Sequence, residues 1–338
     1  VDCNFSCSYC FEHHKHNSYM TKETEDNLLN FIKSFNTKRI HILWFGGEPL
    51  LNFKSIKTIT HKVIKNKFEL SASIITNGYL LTKEKVELLD KLKIDSVQIT
   101  LDGLEKVHNQ RRTHKKGYNS FNKIISNLDY LVKYAEKNLI QISIKVNVDS
   151  NNKSAFPEVF SFIKNRYAAQ FETRIIDVGL NFVSNDASGE SFSSCVFKNN
   201  DKINYFKYLK DSGFDKSRLL RLLEPRFSIS ECIMRCINSF GIGPDGNIYK
   251  CLEDFGNQDK SIGNINSKKF DNSSFAKLTV GEDAYDNKTC KNCSYLPICG
   301  GGCPYIRINT NGDNNVFHCS IYKDYLNEML NMYYILKQ

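Results

Sequence analysis

The sequence predicts an α/β fold: a partial, TIM-like (β/α)6 barrel of parallel strands, followed by a small cysteine-rich domain. Two observations predict it. Short apolar segments alternate with amphipathic ones through the first half of the chain. Cysteines crowd both ends and are almost absent between.

Extended segments are expected at 40–45, 72–76, 96–101, 140–148 and 175–183. Each is short, rich in Ile, Val or aromatics, and followed by a polar or Gly-containing loop. Amphipathic stretches at 22–35, 56–66, 83–92, 121–137 and 156–166 read as the intervening helices, with Thr82 as an N-cap. Strand–helix alternation implies parallel strands joined by right-handed crossovers. Five strands are visible, and a sixth is expected upstream of Val1. In such barrels chemistry sits in loops at the C-terminal strand ends. Gly46-Gly47-Glu48-Pro49, Thr76-Asn77-Gly78 and Asp102-Gly103 fall there.

The expected organisation is a barrel over 1–184, a linker or helical connection over 185–231, and a cysteine-rich domain over 232–338. The connection is loop-like at 185–194, with a helix at 199–210. The last domain closes on a helix at 324–336.

The 338 residues carry a net charge of +9, with 41% hydrophobic residues. No apolar run approaches the ~18 residues of a membrane-spanning helix, and no secretory signal is visible. Lysines are spread over what read as solvated helix faces. No basic block is interleaved with aromatics, so neither nucleic acid nor membrane is an expected partner.

The 12 cysteines stand at 3, 7, 10, 195, 232, 236, 251, 290, 293, 299, 303 and 319. A disulfide-stapled secreted protein spreads its cysteines. Short spacings let thiolates converge on a metal centre instead. The pattern predicts a reducing, oxygen-poor, cytoplasmic setting. Cys195 stands outside every motif and reads as a plain thiol.

Cys3-x3-Cys7-x2-Cys10 can hold three irons of a [4Fe–4S] cluster. The fourth iron is then open to a ligand bearing amino and carboxylate groups. A structural zinc loop is the alternative, with His13, His14 or His16 as fourth ligand. Gly46-Gly47-Glu48-Pro49 argues against zinc. Its glycines admit close backbone approach, and Glu48 with nearby carbonyls can accept from an ammonium group.

These segments, in this order, resemble the radical S-adenosylmethionine (SAM) superfamily. The resemblance implies that Cys3, Cys7 and Cys10 are catalytic cluster ligands and that Gly46, Gly47, Glu48 and Pro49 hold the methionine moiety. It places Tyr9 near the adenine. It also implies that Thr76, Asn77, Thr100 and Asp102 line the cavity, and that Asn147 contacts the ribose. His108 and Arg111 form a similar family-like pattern. Each of these softer matches also reads as a turn former or strand-end polar group.

The order Cys236, Cys251, Cys290, Cys293, Cys299, Cys303, Cys319, with Gly246 before Cys251, resembles the SPASM domain of peptide-modifying radical SAM enzymes. The resemblance implies one auxiliary [4Fe–4S] cluster on Cys290, Cys293, Cys299 and Cys319. A second would sit on Cys236, Cys251 and Cys303, with Cys232 as fourth ligand or with an open iron. Three clusters and S-adenosylmethionine are thus the implied cofactors.

The function implied is maturation of a ribosomally made peptide or protein. A 5′-deoxyadenosyl radical would abstract a hydrogen, and a crosslink such as a thioether would follow, with an electron passed to the auxiliary clusters. A flavodoxin or ferredoxin would supply reducing electrons. The runner-up is an anaerobic sulfatase maturase, which makes formylglycine. That family places an Asp directly after the cysteine matching Cys251, where this chain has Leu252. A non-catalytic iron–sulfur or zinc module is the third reading.

Overall fold

A computed structural model describes residues 2–12, 18–183, 196–225, 232–281, 283–309 and 319–338. The chain opens with the short strand β1 (Phe5–Cys7) and helix α1 (Lys22–Lys33). Strand β2 (Arg39–Trp44) runs into the Gly-Gly-Glu-Pro loop and a 3-10 turn, Pro49–Asn52. Helix α2 (Phe53–Lys65), β3 (Glu69–Thr76), the one-turn α3 (Lys83–Val86) and β4 (Ile94–Thr100) follow. Next come α4 (Glu105–Arg111), β5 (Arg112–His114), α5 (Ser120–Asn138) and β6 (Gln141–Val148). The sheet-bearing part ends with α6 (Ala155–Arg166), α7 (Ala168–Glu172) and β7 (Ile176–Phe182).

All five expected strands form, in one parallel sheet of order β2-β3-β4-β6-β7. Alternating burial, clearest in β6, explains why. In β6, Ile142, Ile144, Val146 and Val148 are buried on one face, while Ser143, Lys145 and Asn147 stand on the other. The apolar face takes the helices. Helix α5 buries Phe121, Ile124, Ile125, Leu128, Leu131, Val132 and Ala135, the 3–4 spacing of a core-facing stripe. Apart from Ala135, each such side chain is worth about 1.5–3 kcal/mol when fully buried. The other face is polar: Gln98, Ser143 and Asp177 share one register row, and Thr100, Lys145 and Gly179 the next. A parallel sheet is normally apolar on both faces, so this polar face is unusual.

Two local expectations need correction. The helix expected over 83–92 stops at Val86, because Leu88 and Leu89 donate three residues back, to Lys85 and Val86, and Lys93 turns left-handed (φ 58°). Thr82 occupies the N-cap position, but its side chain caps no amide; its hydroxyl is engaged by Glu84. The antiparallel pairing of β1 with β5 was not expected from the sequence.

The remainder comprises α8 (Asn199–Asp211), α9 (Lys216–Leu223), short strands β8 (Gly241–Ile242), β9 (Asn247–Tyr249), β10 (Gly263–Asn264) and β11 (Lys269–Phe270), and helices α10 (Asn272–Val280), α11 (Lys288–Lys291), α12 (Leu296–Cys299), α13 (Pro304–Asn309) and α14 (Ile321–Lys337). The helices expected at 199–210 and 324–336 are α8 and α14. The loop expected at 185–194 lies outside the described residues.

The chain divides into two compact units. The first is 1–183 with 242–248 and 255–269; the second is 184–241, 249–254 and 270–338. The returning segments belong to the first unit through specific contacts: Asn266 bonds Thr24 and Asn27 of α1 at 3.1 Å, and Phe255 meets the ring of Phe45. Among the described residues no helix is long and apolar enough to cross a membrane.

Candidate active site and cysteine groups

The loop from Cys3 to Cys10 is stitched to the strand ends by backbone and amide bonds. Glu48 N–H donates to the Asp2 carbonyl at 2.8 Å, and Asn77 Nδ2 donates to Asn4 Oδ1 at 2.8 Å. Lys115 N–H donates to the Asn4 carbonyl at 2.9 Å, extending the β1–β5 pair. Gly47 N–H donates to Glu12 Oε2 at 2.7 Å. The three cysteines and both loops therefore lie at one end of the sheet. Cys3 is buried, while Cys7 and Cys10 are half-buried.

The Gly-Gly-Glu-Pro loop folds as its composition dictates. Gly46 and Gly47 have φ of 99° and 50°, a left-handed pair that other residues adopt only with strain. Glu48 is 2% exposed. Its carboxylate accepts from Thr76 Oγ1 at 2.8 and 2.9 Å, Asn77 N–H at 2.8 Å and Leu50 N–H at 2.9 Å. Burial pushes its pKa up, opposed by those donors and by Lys85. Glu48 thus ties two loops together. Thr76 and Asn77 spend their polar groups on the same junction. Pro49 begins the following 3-10 turn.

Beside the cysteines lies a second network. The Tyr9 hydroxyl bonds Asp102 Oδ2, accepts from Arg112 Nη1 at 2.7 Å, and is 3.3 Å from Asn147 Nδ2. Asn147 N–H donates to Asp102 Oδ1 at 3.0 Å. Asn152 closes the ring by donating to the carbonyls of Asp102 and Asn147 at 3.0 and 2.9 Å. The Arg111 guanidinium lies 5.1 Å over the Tyr9 ring and grips Asp149 through two bonds of 3.2 and 2.7 Å. Burial raises the Asp102 and Tyr9 pKa values; Arg112 is the chief opposing influence on both. Burial works against the Arg112 charge, yet Tyr9, Cys7 and Asp102 outweigh it and hold its proton more tightly than usual.

The sequence-derived candidates Cys3, Cys7, Cys10, Tyr9, Gly46, Gly47, Glu48, Pro49, Thr76, Asn77, Asp102 and Asn147 are thus drawn together. Thr100 lies one register row below Asn147, paired with Lys145. Arg112, Glu12 and Asn152 were missed. Each acts across a long sequence separation, and only the proximity of Glu12 to Cys10 carried any signal. His13, His14 and His16 lie outside the described residues.

In the second unit the cysteines fall into two groups. Burial pushes the Cys290 thiol up, and its neighbours Cys299, Cys319 and Cys293 add to that. Lys323 Nζ is 3.6 Å from Cys319 Sγ. The other group gathers near Met234, Tyr305 and Ile308, against which Cys232 and Cys251 pack. Burial lifts the Cys251 thiol to about 12, with Asp254, Glu253 and Cys303 also raising it. Cys303 is raised by burial, with Glu253 and Cys232 contributing. Lys250, the residue before Cys251, donates from Nζ to the Cys236 carbonyl at 2.6 Å. Among the described residues every cysteine is free of disulfides, and no three His, Cys, Asp or Glu side chains close round a single metal ion. A cubane takes one thiolate per corner and so needs a wider set. Cys195 lies outside the described residues.

Residues 1–149 match the profile of the radical SAM superfamily. The chain carries a radical SAM domain over these residues. It is 26% identical to a cysteine-type anaerobic sulfatase-maturating enzyme of Clostridium novyi (strain NT), across 96% of this chain and 91% of that protein. It is 24% identical to the radical SAM cyclopropyl synthase TigE of Paramaledivibacter caminithermalis, across 89% and 65%. The solved structure of native anSMEcpe with bound AdoMet and Kp18Cys peptide superposes with a TM-score of 0.73 at 20% identity, covering 99% of this chain and 93% of that one. The radical SAM class carries a [4Fe–4S] cluster and S-adenosylmethionine. The donor set fits that pair: three disulfide-free thiols beside a loop of left-handed glycines whose one carboxylate is already spent internally.

Proposed function

We propose that this chain is a radical SAM enzyme that matures a ribosomally made peptide or protein. One observation carries the reading: beyond the three cysteines of the radical SAM domain, the second unit holds Cys290 influenced by Cys293, Cys299 and Cys319, and, separately, Cys303 influenced by Cys232 near Cys251. A domain built only to cleave SAM needs no such groups. Three clusters are therefore assigned, to Cys3, Cys7 and Cys10; to Cys232, Cys236, Cys251 and Cys303; and to Cys290, Cys293, Cys299 and Cys319. When bound, the cluster and SAM supply a 5′-deoxyadenosyl radical for hydrogen abstraction, and the further clusters supply an acceptor for the electron that bond formation releases.

The chain's own residues bind and orient. The loop 46–49 presents backbone groups to the methionine end of SAM, with Glu48 fixing its shape through Thr76 and Asn77. Tyr9 is clamped by Asp102, Arg112 and Asn147, which fixes a rigid aromatic wall for the adenine. Thr100 and Asn147 offer polar contacts from adjacent strand ends. Within this reading, residues 1–184 are the radical SAM core, 185–231 the connection and 232–338 the SPASM-like domain. A flavodoxin or ferredoxin donates the electron, and the cytoplasm is the setting.

The test is anoxic turnover with SAM, dithionite and candidate peptides encoded beside the gene. 5′-Deoxyadenosine together with a two-hydrogen mass loss in the peptide supports a crosslink. The second reading, a sulfatase maturase, is favoured by the full-length similarity to the Clostridium novyi enzyme. Leu252 after Cys251 weighs against it. An aldehyde formed on a sulfatase-derived peptide would decide for it.

A further inference from the structure

Lys250 is fully buried, a rare state for a lysine. Its ammonium donates to the Cys236 carbonyl at 2.6 Å and the Ser239 carbonyl at 2.7 Å. It also lies over the Phe240 ring at 4.9 Å and the Phe275 ring at 5.4 Å. Those rings stack on each other at 5.9 Å, and the ammonium meets both of them. Among the described residues no carboxylate pairs with this ammonium. Its next neighbour in sequence is Cys251; burial lowers its pKa to about 8, and the thiols of Cys236 and Cys232 oppose that shift.

Burying an ammonium on carbonyl dipoles and ring faces alone is expensive. A four-thiolate cubane is a net anion, and burying it is expensive for the same reason. The two costs offset each other when both charges occupy one pocket. We propose that the Lys250 ammonium is the fixed counter-charge of the cluster assigned to Cys232, Cys236, Cys251 and Cys303, raising that cluster's reduction potential. This rests on the assignment of three clusters above. Net charge and local hydrogen bonding are among the main determinants of cluster potential. A fixed positive charge favours the reduced, more negative state, which suits a cluster that must take up an electron. Lys250 touches the carbonyl of one ligand and adjoins another, so it acts as a positioning and tuning residue.

The experiment compares the anoxically reconstituted full chain with K250M, which keeps length and loses charge, and K250R, which keeps charge. Iron per chain and EPR-monitored redox titration are read on each. The expected result is roughly 12 irons per chain in the unaltered protein. In K250M one of three midpoint potentials moves to more negative values and the other two stay. In K250R that midpoint returns towards the unaltered value. K250M with full iron and three unmoved midpoints overturns the proposal. Should K250M lose one cluster's irons, restoration by K250R upholds the counter-charge, and loss in both variants assigns Lys250 to packing and overturns it. A count near 8 irons in the unaltered chain overturns the three-cluster assignment, and the counter-charge with it.

Discussion

Arg112 and Tyr9, 103 positions apart in the sequence, meet through a 2.7 Å hydrogen bond from the guanidinium to the phenol oxygen. The same phenol bonds Asp102, which is wholly buried. The guanidinium is therefore the cation that makes a buried carboxylate tolerable, and Tyr9 is the bridge between them. Removing one partner of a buried ionic pair costs about 3–5 kcal/mol, because the other charge is left uncompensated. Losing a single neutral hydroxyl costs about 1–3 kcal/mol. Arg112→Met should therefore lower the midpoint of thermal unfolding clearly more than Tyr9→Phe. Anoxic circular-dichroism melts of both variants check this. Equal losses would mean that the bridge, rather than the charge, carries the stability.

His108 is fully buried, lies edge-on to Phe121, and neither ring nitrogen has a hydrogen-bond partner among the described residues. Burial drives its pKa well below the ordinary value, and the nearby Arg112 charge adds to that. The folded state therefore refuses a proton that the unfolded state accepts below about pH 6.5. With more protons bound in the unfolded chain, stability rises with pH up to that value and falls below it. The slope is about 1.4 kcal/mol per pH unit for one group. His108→Leu should flatten that part of the acid limb while leaving stability at pH 7.5 equal or higher. Urea midpoints between pH 5 and 7.5 measure it; parallel profiles for the two proteins would refute it.

Much of this architecture was legible beforehand, and the reason is local. β6 and its neighbours announce themselves because alternation of Ile and Val with Ser, Lys and Asn is imposed by a sheet with one apolar face. α5 announces itself through a long 3–4 stripe. The cysteine motifs and the Gly-Gly-Glu-Pro loop were legible as residue patterns. β1 was not, since three residues inside a cysteine motif show no periodicity and their partner β5 lies far along the chain. Arg112 and Lys250 look like solvated charges in sequence. Only the fold buries them, one against Tyr9 and Asp102, the other against two stacked phenylalanines. The inward turn of Glu48 was hidden for the same reason: its donors Thr76 and Asn77 come from the next strand.

Gly246 links sequence pattern to geometry. Its φ is 87°, and a Cβ there would stand 2.6 Å from Asn266 Nδ2. Asn266 is the residue that bonds Thr24 of α1. Gly246→Ala should cost about 1–3 kcal/mol from the left-handed backbone alone, plus the displacement of Asn266. A lowered urea midpoint is expected, and Asn266→Ala in the same background should relieve part of it. A Gly246→Ala protein as stable as the unaltered one would show that the turn adapts freely.

The partition of the eight C-terminal cysteines can be tested by counting. Each four-thiolate group holds one cubane, so losing one ligand should lose or destabilise about 4 irons. Losing a second ligand of the same group should remove no more. Cys290→Ala and Cys299→Ala, alone or combined, should therefore each leave roughly 8 irons after anoxic reconstitution. Cys290→Ala combined with Cys251→Ala should leave roughly 4, because the two belong to different groups. The proximity of Cys290 to Cys293, Cys299 and Cys319, and of Cys303 to Cys232 and Cys251, is what predicts this asymmetry. Iron and sulfide analysis of the five proteins decides it. If Cys290→Ala with Cys299→Ala leaves roughly 4 irons, the two cysteines serve different clusters and the grouping must be redrawn.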